Sequence, residues 1–276
     1  MRLINRHPDR GGRLLLILLP FALLLFAYFI GSAARLTDNP NDKLLPSASQ
    51  MGAAIERLAF TEDKRSGNYL FWQDSAASLK RLAMGIGIAA LVGLCLGIAA
   101  GTLPLFSAPL SPLLTVLSMV PPLAILPILF IVFGLGELSK GVLIALGITP
   151  FLIRDLQARA LELPEEMLVK AQTLGAGSWL VALRVMLPQL LPRLIDALRL
   201  SLGAAWLFLI AAEAVAATEG LGYRIFLMRR YLAMDLILPY VAWITLLAWL
   251  LDWLLASLSR RLFPWYHGAS HGGGDA

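Results

Sequence analysis

The chain has 276 residues, 58% of them hydrophobic and only 15% charged, with a mean hydropathy of +0.74. Soluble domains carry about 25% charged residues, so the composition excludes an ordinary soluble domain and defines an integral membrane protein. The net charge of +5 suits an anionic lipid surface, and basic residues scattered among apolar segments, with no single patch, exclude nucleic-acid binding.

Arg2, Arg6, Arg10 and Arg13 precede an apolar run from Leu14 to Gly31. Small residues at Ser32, Ala33 and Ala34 would allow signal-peptide cleavage. The run is nevertheless long enough to span a bilayer and longer than most signal cores, which favours a retained first helix. Arg35 to Asp74 is polar and broken by Pro40 and Pro46, an external loop with a short helix around Ser49–Ala59 and a solvated turn at 61–67. Tyr69, Phe71 and Trp72 fit an aromatic belt at the membrane surface. A second span, Ser75–Gly101, carries Gly85, Gly87, Gly93, Gly97 and Gly101, small residues that let helices approach closely in lipid. Cys95, the single cysteine, can form no internal disulfide and reads as a small buried hydrophobe. Lys80 and Arg81 sit near the outer end of this span, where positive charge is unexpected.

The third span, 112–133, contains Met119, Pro121, Pro122 and Pro127. Prolines break the helical ladder, and lipid tolerates this only where neighbours or a cavity satisfy the freed carbonyls. The break is either a transport path or a packing kink. Gly134-Leu135-Gly136-Glu137 makes a tight turn, and a fourth span, 139–151, runs on past Arg154 and Asp155. The fifth span, 198–217, holds Trp206, Phe208 and Glu213. A carboxylate in a span is costly, so Glu213 either lines the path or pairs with Arg224 or Arg229. The sixth span, 237–258, has Asp252 near its inner end, neutralised by Arg260 or Arg261. The tail from 266 on is rich in glycine and reads as disordered.

Between the fourth and fifth spans lies the one charged, amphipathic insert, 164–188. Pro164 suits the first helical position, and Glu165 and Glu166 favour the positive end of the helix dipole. Met167, Leu168, Ala171 and Leu174 make one apolar stripe, and Gly175 and Gly177 can end the helix. Such a helix either lies in the lipid interface or presents its apolar face to a partner.

This insert resembles the EAA loop of bacterial ABC importer permeases, whose pattern is E-A-A, three residues, G, nine residues, I-x-L-P. Ala171, Gly175, Val185, Leu187 and Pro188 fall on it, whereas Val169 and Lys170 replace its Glu and first Ala. Pro121-Pro122-Leu123-Ala124, the turn at 133–137, Ala212-Glu213, Gly220-Leu221-Gly222 and the ending Arg261-Leu262-Phe263-Pro264-Trp265 extend the likeness to the taurine/alkanesulfonate/nitrate permeases, over roughly 75–265. The segments 60–72 and 231–235 are similar to a branch associated with urea carboxylase.

The resemblance implies an all-α integral membrane fold of six transmembrane helices, the type I ABC importer (MetI-like) fold with a cytoplasmic coupling helix. It divides the chain into a first segment and helix at 1–31, a periplasmic loop at 32–74, a permease core at 75–265 with its coupling loop at 155–190, and a tail at 266–276. It implies a multi-pass protein of the bacterial inner membrane with both termini in the cytosol. The lysines and arginines divide almost evenly between the two sides, so orientation rests on the N-terminal arginines and the resemblance. The implied partners are two ATP-hydrolysing subunits, a periplasmic solute-binding protein, a second permease copy and membrane lipid. Coupling would fall to Glu165, Glu166, Lys170, Ala171, Leu174, Gly175, Ala176, Leu187 and Pro188, and the path to Met119, Pro121, Pro122, Trp206, Phe208 and Glu213. The substrate would be a small polar solute, a sulfonate or taurine, nitrate, or a urea- or guanidine-like compound.

No G-x-x-x-x-G-K-[ST] loop is present to cradle nucleotide phosphates, so ATP and Mg are expected in the partner and no cofactor on this chain. His7, His267 and His271 lie only in the terminal segments, which offers no histidine-based metal or catalytic cluster, and the chain is not expected to be an enzyme. An ATP-independent secondary transporter or channel is the alternative; the inverted repeats and intramembrane charges it calls for are not evident.

Overall fold

A computed structural model describes residues 9–39, 42–63 and 67–268. Arg2, Arg6, His7, Pro40, Lys64, Arg65, Ser66 and His271 lie outside the described residues, as does the tail from 269 on. Among the described residues the elements are all helical: α1 (Arg10–Asp38), α2 (Ala48–Ala59), α3 (Leu70–Thr102), α4 (Pro104–Met119), α5 (Leu126–Phe133), α6 (Glu137–Leu161), α7 (Glu165–Thr173), α8 (Ser178–Val181), α9 (Leu187–Ala216), α10 (Leu221–Arg229), α11 (Met234–Leu262) and α12 (Pro264–Gly268). Five helices are long and apolar enough to cross a membrane, and the bent pair α4–α5 makes a sixth crossing if counted as one span. The described residues group into two compact units. One runs up to Phe71 and includes Leu227–Val241; the other comprises Trp72–Phe226 and the described residues from Ala242 on.

In the first unit, Asp9 caps α1 by accepting from the Gly12 N–H at 3.0 Å. The helix continues to Asp38, seven residues beyond the apolar run, and none of its most apolar window is buried against protein. The segment after it folds back: the Tyr28 hydroxyl donates to the Pro46 carbonyl at 2.6 Å and Ser32 to the Leu45 carbonyl at 2.9 Å. Ser47 and Gln50 form a capping box that starts α2, within one residue of the expected helix. Phe71 is buried and edge-on to Tyr240 at 5.4 Å, so it packs inside the unit and is not part of a surface belt.

In the second unit, α6 and α9 are central: 44% and 50% of their apolar windows are buried within the protein. Leu143, Ile144, Ile148, Leu152 and Leu156 of α6 and Leu190, Ala197, Ala205 and Leu209 of α9 are sealed from the surface. Lipid is as apolar as leucine, so this core is held by van der Waals fit rather than by expulsion of water. The glycines of α3 supply that fit. A Cβ on Gly85 would lie 2.6 Å from Ile144 Cβ, one on Gly93 2.9 Å from Leu152 Cβ, and one on Gly97 2.7 Å from Leu156 Cβ; Gly101 likewise meets Ala160. The separation along the chain is the same for all four pairs, so α3 and α6 run parallel in one fixed register. Gly87 faces open space and takes no part. Cys95 lies on an exposed face of α3 and is not buried as expected, because Gly93 and Gly97 turn the opposite face to α6.

The third expected span is two helices joined at an 82° bend. Val120 and Pro121 each precede a proline, whose ring disfavours helical backbone in the residue before it; both adopt ψ near 120°, at 119° and 118°. A short 3-10 turn, Pro122–Ile125, leads into α5, and Gly134 at φ 75° closes it. The helix of the fourth span continues past Arg154 and Asp155 to Leu161, and the fifth span begins earlier than expected, α9 starting at Leu187 inside the expected coupling loop.

Candidate functional site

The insert between α6 and α9 is a short helix held out from the bundle. Glu165 and Glu166 occupy the first turn of α7, with Pro164 capping it one position earlier than its expected place inside the helix. No residue of α7 is buried. Glu165, Glu166 and Lys170 are exposed, Ala171 is half-buried, and Leu174 at the end of the helix is 88% exposed. The helix ends in a Schellman motif: the Ala176 N–H donates to the Ala171 carbonyl at 3.0 Å and the Gly175 N–H to the Gln172 carbonyl at 2.9 Å. Gly175 takes φ +84°, the left-handed conformation that this motif requires and that side chains disfavour.

Gly177 then caps α8, where Trp179 stands 76% exposed. Trp179 carries more exposed apolar surface than most of the predicted coupling residues, and sequence reasoning passed over it; an aromatic just after a glycine-serine turn was its signal. Leu187 and Pro188 do not belong to this projecting helix. They open α9, after a π-helical turn at Ala182–Met186, and carry the chain back into the bundle.

Of the residues expected to line a path, the structure brings two together. Pro122 and Phe208 border one cavity of about 560 Å³, with Ser118, Phe151, Arg154 and Asp155. The Phe208 ring lies over Gly147, where a Cβ would sit 3.0 Å from Cζ and closer still to two other ring carbons. The Arg154 Nη2 donates to Thr115 Oγ1 at 2.7 Å, tying α6 to α4 at the cavity edge. Met119 is 74% exposed at the end of α4 and does not line the cavity, although its neighbours Ser118 and Val120 do. Pro121 and Trp206 are also outside it; Trp206 is buried with its Nε1 unpartnered.

Glu213 does not face the cavity. It is fully buried in a polar cluster at the end of α6 far from α7. Its carboxylate accepts from Arg81 Nη1 at 2.7 Å, from Ser78 Oγ at 2.8 Å and from the Gly222 N–H at 2.8 Å. Arg81, 1% exposed, also forks onto Glu137 at 2.6 and 2.8 Å and donates to the Glu219 carbonyl at 2.8 Å. Its position is thus explained by three carboxylates, since Glu219 lies at 3.7 Å as well. The expected partner Arg224 pairs with Asp74 at 2.7 Å instead. The Gly220-Leu221-Gly222 turn fits here because a Cβ on Gly220 would lie 2.6 Å from Glu213 Cδ and one on Gly222 2.8 Å from the Ile210 carbonyl.

At the α7 end, Asp252 is held by Arg199 at 2.8 and 3.1 Å rather than by Arg260 or Arg261. Residues 266–268 belong to the short helix α12. Tyr266 in α12 donates to Asp196 at 2.9 Å under the Arg193 guanidinium, 4.8 Å from its ring, and burial followed by the Asp196 bond raises its pKa. His267 meets Ser259 at 3.1 Å. Among the described residues no group of His, Cys, Asp and Glu could hold a metal ion.

A helix bundle with a broken span, a cavity beside the break and an exposed helix between two crossings defines a membrane transport subunit. Residues 93–266 match the family described as the inner membrane component of binding-protein-dependent transport systems, and the chain belongs to that family. It is 40% identical over 195 residues to the taurine transport system permease protein TauC of Escherichia coli (strain K12), covering 71% of each chain. It is 31% identical over 260 residues to the bicarbonate transport system permease protein CmpB of Synechococcus elongatus, covering 88% of this chain and 91% of that one. Its fold matches a chain of the MetNI methionine ABC transporter in inward-facing conformations, with a TM-score of 0.62, 19% identity, and coverage of 72% of this chain and 99% of that one. The chain is therefore the permease subunit of an ABC importer, a transport component whose ATPase is a separate subunit.

Proposed function

We propose that this permease passes a small polar solute from a periplasmic binding protein to the cytosol by alternating access. The solute class is a sulfonate such as taurine, nitrate, or a urea- or guanidine-like nitrogen compound. Two copies of the chain pair in the inner membrane, two ATPase subunits dock beneath them, and both termini face the cytosol. ATP and Mg stay with the ATPases; this chain binds no cofactor. The cavity bordered by Pro122, Phe208 and Arg154 is the inward part of the path, and the Arg81–Glu213 cluster sits at the outer end.

The observation that carries this reading is α7. A helix with nothing buried, Leu174 exposed at its tip and a glycine fixing its end offers an apolar surface on which an ATPase subunit can dock. ATP-driven closure of the ATPases moves this helix and shifts the balance between two arrangements of the spans. Gly175→Glu tests it. Uptake and ATPase coupling should be abolished while membrane insertion remains intact. Normal uptake by that variant, or uptake into vesicles driven by an ion gradient without ATP, overturns the proposal.

A further inference from the structure

A second cavity, of about 410 Å³, lies wholly within the unit that contains α1 and α2. Its walls bring the segment after α1 to the turn between α10 and α11, a stretch that the transport reading leaves unused. Asp42 and Lys43 from the segment after α1 and Gln50 of α2 border it, with Tyr231 from the turn and Asp235 from the start of α11. Asp42 is already satisfied: the Leu44 N–H and then the Arg35 guanidinium hold its carboxyl below the usual range. Lys43 and Asp235 are not. Among the described residues neither has an ion-pair partner within 4.0 Å, and they do not meet each other. Gln50 spends its amide oxygen on the Ser47 N–H at 2.8 Å, which leaves its NH2 as a donor. Between Tyr231 and Ala233, both on the cavity wall, Leu232 takes φ 54°, a conformation that a non-glycine residue keeps only where the surroundings impose it.

We propose that this cavity is a binding site for a small amphoteric solute, one carrying a protonated amine and an acid group. Convergent polar groups around a concavity of this size are the ordinary form of a small-molecule site. Here the available charges are one cation and one anion, on different segments of the lining and not paired with each other. A neutral or singly charged solute leaves one of them unanswered, whereas an amphoteric one takes both. The acid end lies toward Lys43 and the Gln50 amide, the amine toward Asp235 and the Tyr231 hydroxyl. That the cavity opens on the outer side rests on the orientation proposed above; binding itself does not.

The test is equilibrium binding of radiolabelled taurine to the full chain, purified with its co-expressed ATPase in lipid nanodiscs without ATP. Ethylamine and ethanesulfonate serve as competitors carrying one end each. Saturable binding is expected, weakened about tenfold or more by Lys43→Gln and by Asp235→Asn. Ethylamine should compete in Lys43→Gln but not in Asp235→Asn, and ethanesulfonate the reverse. The absence of saturable binding by the parent overturns the proposal, and so does binding unchanged in both variants. Binding lost in Arg154→Gln and kept in both others places the probe in the other cavity and overturns it as well. Because no nucleotide is present, failed uptake with intact binding refutes the transport mechanism and leaves this site standing.

Discussion

Replacing Arg81 by methionine removes the one cation that, among the described residues, pairs with Glu213 within 4.0 Å. Arg81 is 1% exposed and Glu213 0%, so water cannot take its place. Glu137 and Glu219, at 44% and 38% exposure, can turn to solvent when they lose Arg81. The loss therefore concentrates on one carboxylate, which keeps the Ser78 hydroxyl and the Gly222 N–H but no directly bonded counter-charge. Breaking a buried pair from one side costs about 3–5 kcal/mol. At about 2–4 °C per kcal/mol for a chain of this size, the melting temperature of the detergent-solubilised protein should fall by roughly 6–20 °C. Adding Glu213→Leu to Arg81→Met should restore most of that loss, short of about 1–3 kcal/mol for the Ser78 and Gly222 donors left behind. Glu137→Gln, half in water, should cost no more than about 1 kcal/mol. Thermal unfolding of the four proteins by intrinsic tryptophan fluorescence makes the comparison. If Arg81→Met melts with Glu137→Gln, or the double variant melts below Arg81→Met, Arg81 does not act as the counter-charge of Glu213.

Gly97→Leu forces α3 and α6 apart and should cost about 1–3 kcal/mol by overpacking, whereas Gly87→Leu, into open space, should leave the melting temperature near the parent's. Gly147→Val pushes the Phe208 ring into the cavity; solute uptake in proteoliposomes should drop at least tenfold with the amount of assembled complex unchanged. Asp252→Asn frees Arg199, which keeps Asp196 at 3.7 Å and is a third exposed. Its cost should stay near about 1 kcal/mol by thermal unfolding, well below that of Arg81→Met.

Elements written in consecutive residues were legible in the sequence. The break at Pro121-Pro122 follows from what a proline does to the residue before it, and the end of α7 from Gly175. The short helix expected around Ser49–Ala59 lies in the same class, although its capping box at Ser47 and Gln50 was not read. The glycines of the second span declared close packing, but not their partners, and Gly87 shows that composition alone cannot say which of them face a neighbour. Pairings between distant residues stayed hidden. Glu213 meets Arg81 across 132 residues of chain, and only the fold places α3 beside the turn after α9. Asp252 was assigned to the arginines nearest in sequence, yet those lie eight and nine residues on, a rise of about 12 Å or more along the helix, while Arg199 comes from another span. Cys95 was read as buried because it is apolar; in lipid an apolar side chain has no need to hide.

The shared register of α3 and α6 has a mechanical consequence. Four glycine notches engage four side chains at one repeat, so neither helix can slide along the other by less than a full repeat without collision. The two behave as one rod, about 37 Å long at 1.5 Å per residue over the 25 residues of α6. One tip joins the projecting knuckle through three residues, and the other bears Glu137, gripped by Arg81. A tug at the first tip arrives at the second with little slack to absorb it.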